Sequence, residues 1–315
     1  MDYNTVIIGS GVAGMTAAIY LKRANKSVCI LENGVPGGQL TLTSSIKNYP
    51  GFKDISGADL ALNIYNQVLD LNVEYKYKKA TKIEIENNTF SVWMNDEKIT
   101  CNNIIIATGR SPRKLEVKME DRLVGNGVSF CATCDSSLYK DKKVAVVGGG
   151  TAALEEAIYL SKICSNVTLI HRRDIFTAPT SLIEDVKSTK NINIITNSVV
   201  KEFKMQDNKL SSIILEDNQY KSQKEVEVDG CFEYIGQVPN TDIFKELNIL
   251  DDKGYVNIDD NYETKISGIY AVGDCTKKDL YQIITACSDG AIAANRIIAT
   301  KRFWVSVKFS KFIGK

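Results

Sequence analysis

The sequence predicts an α/β fold made of two similar units, one inserted into the other. Three observations carry that expectation. A β-branched run closed by a glycine turn occurs twice. A helix pattern and a second apolar strand follow both turns at equal offsets. Pieces that complete the first copy reappear beyond the second.

The first copy reads Tyr3-Asn-Thr-Val-Ile-Ile-Gly9-Ser10-Gly11-Val12-Ala13-Gly14, and the second Lys143-Val-Ala-Val-Val-Gly148-Gly-Gly150-Thr151-Ala-Ala153. Ala18-Ile-Tyr-Leu21 and Ala157-Ile-Tyr-Leu160 follow in register, then the apolar strands Val28–Leu31 and Val167–Ile170. Each copy is a βαβ unit of the Rossmann type. Its first glycine permits the tight turn, its second lets backbone approach a pyrophosphate, and its third small residue, Gly14 or Ala153, lets the helix pack on the strand. The helix N-terminus then offers free N–H groups and a positive dipole end to phosphate. One such turn is a weak signal; two, each between a strand and a helix, imply two dinucleotide-binding domains.

The residue closing the second strand meets the adenosine ribose in such units. In copy one it is Glu32, which accepts from free ribose hydroxyls and repels a 2′-phosphate. In copy two it is His171, followed by Arg172 and Arg173, whose planar forks suit a 2′-phosphate. Copy one is therefore expected to hold FAD or NAD and copy two NADPH; FAD is preferred in copy one because further segments agree. Gly37-Gly38-Gln39 adds a second backbone approach near copy one. Gly273-Asp274 closes a late strand, where the aspartate can bind a ribityl hydroxyl and the helical segment from Gln282 can face the flavin. These pieces flank the second copy. The expected organisation is a discontinuous FAD-binding domain, 1–113 and 240–315, with an NADPH-binding domain, 114–239, between Pro112 and Pro239.

Cys131-Ala-Thr-Cys134-Asp135 lies just before the second copy. The chain has eight cysteines, but only this pair has motif spacing, so a zinc site lacks its second pair of ligands. Chance proximity of buried thiols is the second reading. The third, a reversible disulfide, is favoured by the flanking nucleotide motifs. A helix opening at Cys131 would raise the thiolate fraction, and Asp135 is the adjacent acid/base. The other six cysteines are expected to be buried small hydrophobes.

Composition closes off other classes. Lys and Arg (39) nearly balance Asp and Glu (38), unlike a nucleic-acid reader. A single histidine excludes a multi-histidine metal site, and no metal is expected. No apolar run is long enough to span a bilayer, and the first strand starts too early for a signal peptide, so a cytoplasmic protein without membrane association is expected.

Taken with Asn48-Tyr-Pro-Gly-Phe52, Ala107-Thr-Gly109 and Pro239-Asn-Thr241, these motifs resemble the low-molecular-weight thioredoxin reductases from residue 3 to about residue 297. The resemblance implies a homodimer reducing a thioredoxin-like protein. It puts Cys134 toward the flavin and Cys131 in exchange with thioredoxin. It adds Asn48, Gly109, Gln282 and Ile283 to the FAD set, and it implies an NADPH domain that rotates. Two positions depart from the pattern. Thr177 stands where a third phosphate-binding arginine is expected, a loss of about 1–3 kcal/mol for one charged hydrogen bond. Tyr281-Gln282 replaces Arg-Gln. Ferredoxin as donor, or a flavin oxidase building small-molecule disulfides, are the alternative activities. The basic, aromatic stretch 301–315 lies beyond the resemblance and is expected to be an extension packed on the FAD domain or a dimer partner.

Overall fold

The computed structural model describes residues 1–43, 45–86 and 89–310, with the side chains of Leu42 and of 301–310 excepted. The chain forms two compact units, Met1–Ser111 with Val238–Lys315, and Pro112–Gln237. Each has a Rossmann-type parallel sheet.

Unit 1 opens with β1 (Tyr3–Ile8), α1 (Val12–Arg23), β2 (Val28–Leu31), α2 (Gly57–Asp70) and β3 (Glu74–Lys76). It continues through β4 (Lys82–Glu86), β5 (Thr89–Met94) and β6 (Glu97–Ile106). β1 is buried on both faces, Ile7 in one core and Val6 and Ile8 in the other, so it reads as a continuous apolar run rather than an alternation. α2 is started by Ser56, whose Oγ accepts from the Asp59 N–H at 3.0 Å and donates to the Asp59 carboxylate at 2.6 Å. Removing that cap costs about 1 kcal/mol. β6 pairs antiparallel with β5 through its first half and parallel with β1 through its second, Cys101–Ile106. The outward crossing is the short strand β7 (Arg110–Pro112).

Unit 2 begins with α3 (Glu120–Leu123), β8 (Val128–Ser129) and the single turn α4 (Ala132–Asp135). Then come β9 (Lys143–Gly148), α5 (Thr151–Ser161), β10 (Asn166–Ile170), α6 (Thr180–Ser188) and β11 (Ile192–Ile195). An antiparallel ribbon of β12 (Ser198–Gln206), β13 (Lys209–Asp217) and β14 (Gln223–Glu227) precedes β15 (Gly230–Tyr234). The parallel sheet runs β11-β10-β9-β15-β8. Val144 and Val146 of β9 face the core under α5, while Ala145 and Val147 face the core under the ribbon.

The chain returns through β16 (Gln237–Pro239), which pairs with β7. β17 (Ile269–Ala271) lies parallel on the second half of β6, and α7 (Ile283–Ser310) packs on α1. The approach of those helices is close enough that a methyl at Gly290 would lie 2.2 Å from the Ala13 carbonyl oxygen. The stretch expected to be a packed extension falls outside the described residues at 311–315. At 301–310 the backbone continues α7.

Candidate functional site

In unit 1 the turn after β1 is shaped by what surrounds it. Gly9 has φ +105° and sits where a Cβ would be 2.4 Å from the Ala107 carbonyl oxygen; a Cβ on Gly14 would be 2.2 Å from the Gly9 oxygen. Gly11, between them, faces open space, with nothing within 4 Å of an added Cβ. Val12 and Ala13 are buried in the first turn of α1. Glu32, at the end of β2, accepts from the Ser10 N–H at 2.7 Å and the Gly34 N–H at 2.7 Å. Its carboxylate therefore ties the glycine turn to the next loop, with lone pairs left over for hydroxyl groups. The Gly37 N–H donates to the Ser10 carbonyl at 2.8 Å. Gly38 follows with φ +55°.

The remaining FAD candidates come from distant segments of the same unit. Gln39 Nε2 donates to the Arg110 carbonyl at 2.6 Å, and Asn48 Nδ2 to Gln282 Oε1 at 3.0 Å. Ile283 begins α7 and is half-buried. Gly109 (φ +63°) follows β6. Gly273 and Asp274 form a single tight turn after β17. That turn is pinned by Asp289, a buried carboxylate of α7. It accepts from the Gly273 N–H at 2.9 Å and the Tyr262 hydroxyl at 2.6 Å, and it pairs with Lys278. Sequence reasoning missed Asp289, because only the fold brings α7 beneath the turn.

Two buried polar atoms beside this turn, Thr108 Oγ1 and Arg110 Nε, have no hydrogen-bond partner among the described residues. Buried polar groups are almost always paired. Such orphans beside an open glycine turn fit a bound polar ligand, as does a carboxylate with spare acceptor capacity. The residues present therefore suit FAD.

In unit 2 the second glycine turn carries Gly148, Gly150, Thr151 and Ala153. A Cβ on Gly148 would be 2.5 Å from the Tyr234 carbonyl oxygen, whereas Gly150 is open. His171 lies beneath Gly149. It is buried, stacked on Phe176 at 5.2 Å, with Nε2 3.1 Å from the Ile175 carbonyl oxygen. Burial, then the neighbouring Arg173 and Arg172 charges, pull its pKa down. Arg172 and Arg173 are both exposed. Thr177 donates to the Gly149 carbonyl through its N–H at 2.7 Å and its hydroxyl at 3.2 Å. The residue at this departing position thus fastens its loop to the glycine turn.

Cys131 and Cys134 form a disulfide with Cα atoms 5.4 Å apart. Cys131 caps α4, and the Cys134 N–H points at its sulfur at 3.3 Å. A donor there favours the thiolate once the bond opens. Ser129 accepts from the Cys131 N–H at 3.1 Å and donates to Asp135 Oδ2 at 2.7 Å. Tyr234 accepts from the Ala132 N–H at 2.8 Å, and burial holds its phenol well above the ordinary range. Cys134 is exposed and Cys131 half-buried. Ser129 and Tyr234 carried no sequence signal: one is an ordinary serine upstream of the motif, the other lies 102 positions from Ala132. The other cysteines among the described residues are free thiols, all buried except the half-buried Cys287. Among the described residues no cluster of His, Cys, Asp and Glu could hold a metal ion, and no helix is long and apolar enough to cross a membrane.

Residues 3–290 match the family described as pyridine nucleotide-disulphide oxidoreductase. The chain is 41% identical to the thioredoxin reductase of Mycoplasma genitalium, over 94% of each protein. It is 38% identical to that of Bacillus subtilis, over 94% of this chain and 93% of the relative. The crystal structure of Lactococcus lactis thioredoxin reductase superposes with a TM-score of 0.83 at 38% identity, covering 95% of this chain and 99% of that one.

Proposed function

The chain belongs to the pyridine nucleotide-disulphide oxidoreductase family, and we propose that it is an NADPH-dependent, FAD-containing thioredoxin reductase. The observation that carries this reading is the Cys131–Cys134 disulfide with Asp135 fixed beside it by Ser129. Unit 1 holds FAD through the glycine turn, Glu32, the Gly37–Gln39 loop, and the Asn48, Gly109 and Asp274–Ile283 segments. Unit 2 holds NADPH at Gly148–Ala153, with Arg172 and Arg173 at the 2′-phosphate and His171 as the wall beneath the turn. Bound FAD supplies a two-electron carrier between nicotinamide and disulfide.

The protein's own groups complete the chemistry. Two electrons break the Sγ–Sγ bond and leave two sulfur anions. Asp135 carries a proton to one of them. Cys131, its thiolate favoured by the Cys134 N–H, attacks a thioredoxin disulfide and forms a mixed disulfide, expelling one thioredoxin thiolate. Asp135 takes the proton back from Cys134 and passes it to that leaving sulfur. The Cys134 thiolate then attacks Cys131, expelling the second thioredoxin sulfur, which takes a proton from solvent, and restoring the Cys131–Cys134 bond. Reducing thioredoxin, whose potential is about −270 mV, needs no donor stronger than a nicotinamide.

The same reading takes the working form to be a cytoplasmic homodimer, consistent with six cysteines left as thiols; light scattering in solution tests the dimer. The activity test is reduction of oxidised thioredoxin with NADPH, NADH or reduced ferredoxin as donor. NADPH is expected to be the fastest. Turnover with ferredoxin alone would overturn the assignment of the donor, and failure to reduce thioredoxin with any donor would overturn the assignment of the substrate.

A further inference from the structure

Arg110 stands apart from the residues assigned so far. It lies at the end of the crossing strand β7, in unit 1, and its side chain is 15% exposed. The guanidinium donates from Nη2 to Asp274 Oδ2 at 3.1 Å, across 164 positions of sequence. The same group lies over the Tyr281 ring, with Cζ 3.6 Å from the ring centroid. Its own carbonyl holds Gln39. Nε is buried with no hydrogen-bond partner among the described residues. A planar guanidinium can pair edge-on with a carboxylate and stack face-on with an aromatic ring at once, which an ammonium cannot do. Tyr281 is the position where the resemblance leads one to expect arginine. The cation reaches that position from β7 instead.

We propose that the Arg110–Tyr281 pair is a positioning clamp for Asp274 in the flavin site. The ring fixes the plane of the guanidinium. The guanidinium fixes the Asp274 carboxylate and cancels its charge. The unpartnered Nε supplies a further donor for the polar part of FAD. This rests on the reading that unit 1 binds FAD. Without the cation, Asp274 is an uncompensated anion in a half-buried site. Such a charge opposes cofactor binding and opposes adding electrons to it.

The test is made on the purified full-length flavoprotein with two readouts that do not require turnover. One is FAD release on dilution, followed by the fluorescence of free flavin. The other is the flavin midpoint potential. Arg110→Met is expected to weaken FAD binding at least about tenfold. It should also shift the ratio of reduced to oxidised flavin about tenfold toward oxidised, about 30 mV for a two-electron couple. Adding Asp274→Asn to Arg110→Met should return the potential to near the wild-type value, because both charges are then gone. Tyr281→Phe, which keeps the ring under the guanidinium, should retain more FAD affinity than Tyr281→Ala, which should lose a measurable part of it.

Wild-type affinity and potential in Arg110→Met would overturn the proposal. So would a double variant whose potential stays with that of Arg110→Met. If Arg110→Met does not fold, Tyr281→Ala decides the matter: unchanged FAD release in that variant rejects the clamp. A wild-type protein that binds no FAD would reject the underlying reading instead, so the two failures are distinguishable.

Discussion

The Ser129 hydroxyl donates to the Asp135 carboxylate at 2.7 Å while accepting from the Cys131 N–H at 3.1 Å. One hydroxyl therefore connects the backbone of the redox cysteine to the group that handles its proton. The Cys131 carbonyl, at 3.3 Å, is a second and longer acceptor for the same hydroxyl. Asp135→Asn keeps the shape of this contact and removes the proton. Thioredoxin reduction should fall about a hundredfold or more, the lower range for losing a general acid. Flavin bleaching by NADPH should proceed as in the wild type. Stopped-flow absorbance separates the two half-reactions; equal slowing of both would contradict the role given to Asp135.

Ser129→Ala leaves Asp135 ionisable but unheld. A loss of about tenfold in kcat is expected, in line with one hydrogen bond to a charged group. A change in stability with kcat unchanged would make Ser129 a packing residue only.

Tyr234 presents its hydroxyl to the Ala132 N–H, inside the turn that carries both sulfurs. Tyr234→Phe leaves that buried donor without a partner, at a cost of about 1–3 kcal/mol. The expected result is a lower unfolding midpoint, and a disulfide potential that differs from the wild type by glutathione titration. Identical values for both would show that water replaces the phenol without loss.

The duplicated turns, Glu32, His171-Arg172-Arg173 and the cysteine pair were legible because each is local. Strand, turn and helix lie within a few residues of one another, and their placement follows from that order. The contacts between Arg110 and Asp274, Ala132 and Tyr234, and Asp289 and Gly273 were not legible. Each depends on which strand lies beside which. β17 lands beside β6, and β15 ends beside α4; no local pattern encodes either arrangement. Thr177 illustrates the intermediate case. Its departure from the expected arginine was visible, but its hydrogen bonds to Gly149 required the fold.

Glu233 is a further product of register. It alternates with Phe232 and Tyr234 along β15 and so points into the opposite core, fully buried, beside Glu120. Glu120 spends its carboxylate on the Leu115 and Val117 N–H groups. Burial first, then the Glu120 charge, push the Glu233 carboxyl up to about 9. The folded state therefore keeps a proton that the unfolded chain releases near its ordinary value of 4.5. Where the native state binds more protons than the unfolded state, stability falls as pH rises. The contribution is complete below about pH 4.5 and declines up to about pH 9. Glu233→Gln should flatten this dependence and melt a few degrees above the wild type at pH 8. Parallel melting curves across that window would contradict the assignment.

Asp289 is buried and pairs with Lys278 beneath the Gly273-Asp274 turn. Asp289→Ala leaves the lysine and a backbone N–H without their acceptor, a loss of about 3–5 kcal/mol for a broken buried pair. FAD should be retained poorly, measured as the ratio of flavin to protein absorbance after purification. Asp289→Asn should retain more of it.

The most direct measurement of the central claim is an anaerobic NADPH titration of the wild-type flavoprotein and of the Cys134→Ser variant. The wild type has two acceptors, flavin and disulfide, and should take up about two equivalents of NADPH before excess accumulates, with thiols appearing on Cys131 and Cys134. The variant should take up about one and should not reduce thioredoxin. Equal uptake by both proteins, or an oxidised flavin band that NADPH leaves unchanged, would contradict an electron path from NADPH through FAD to this disulfide.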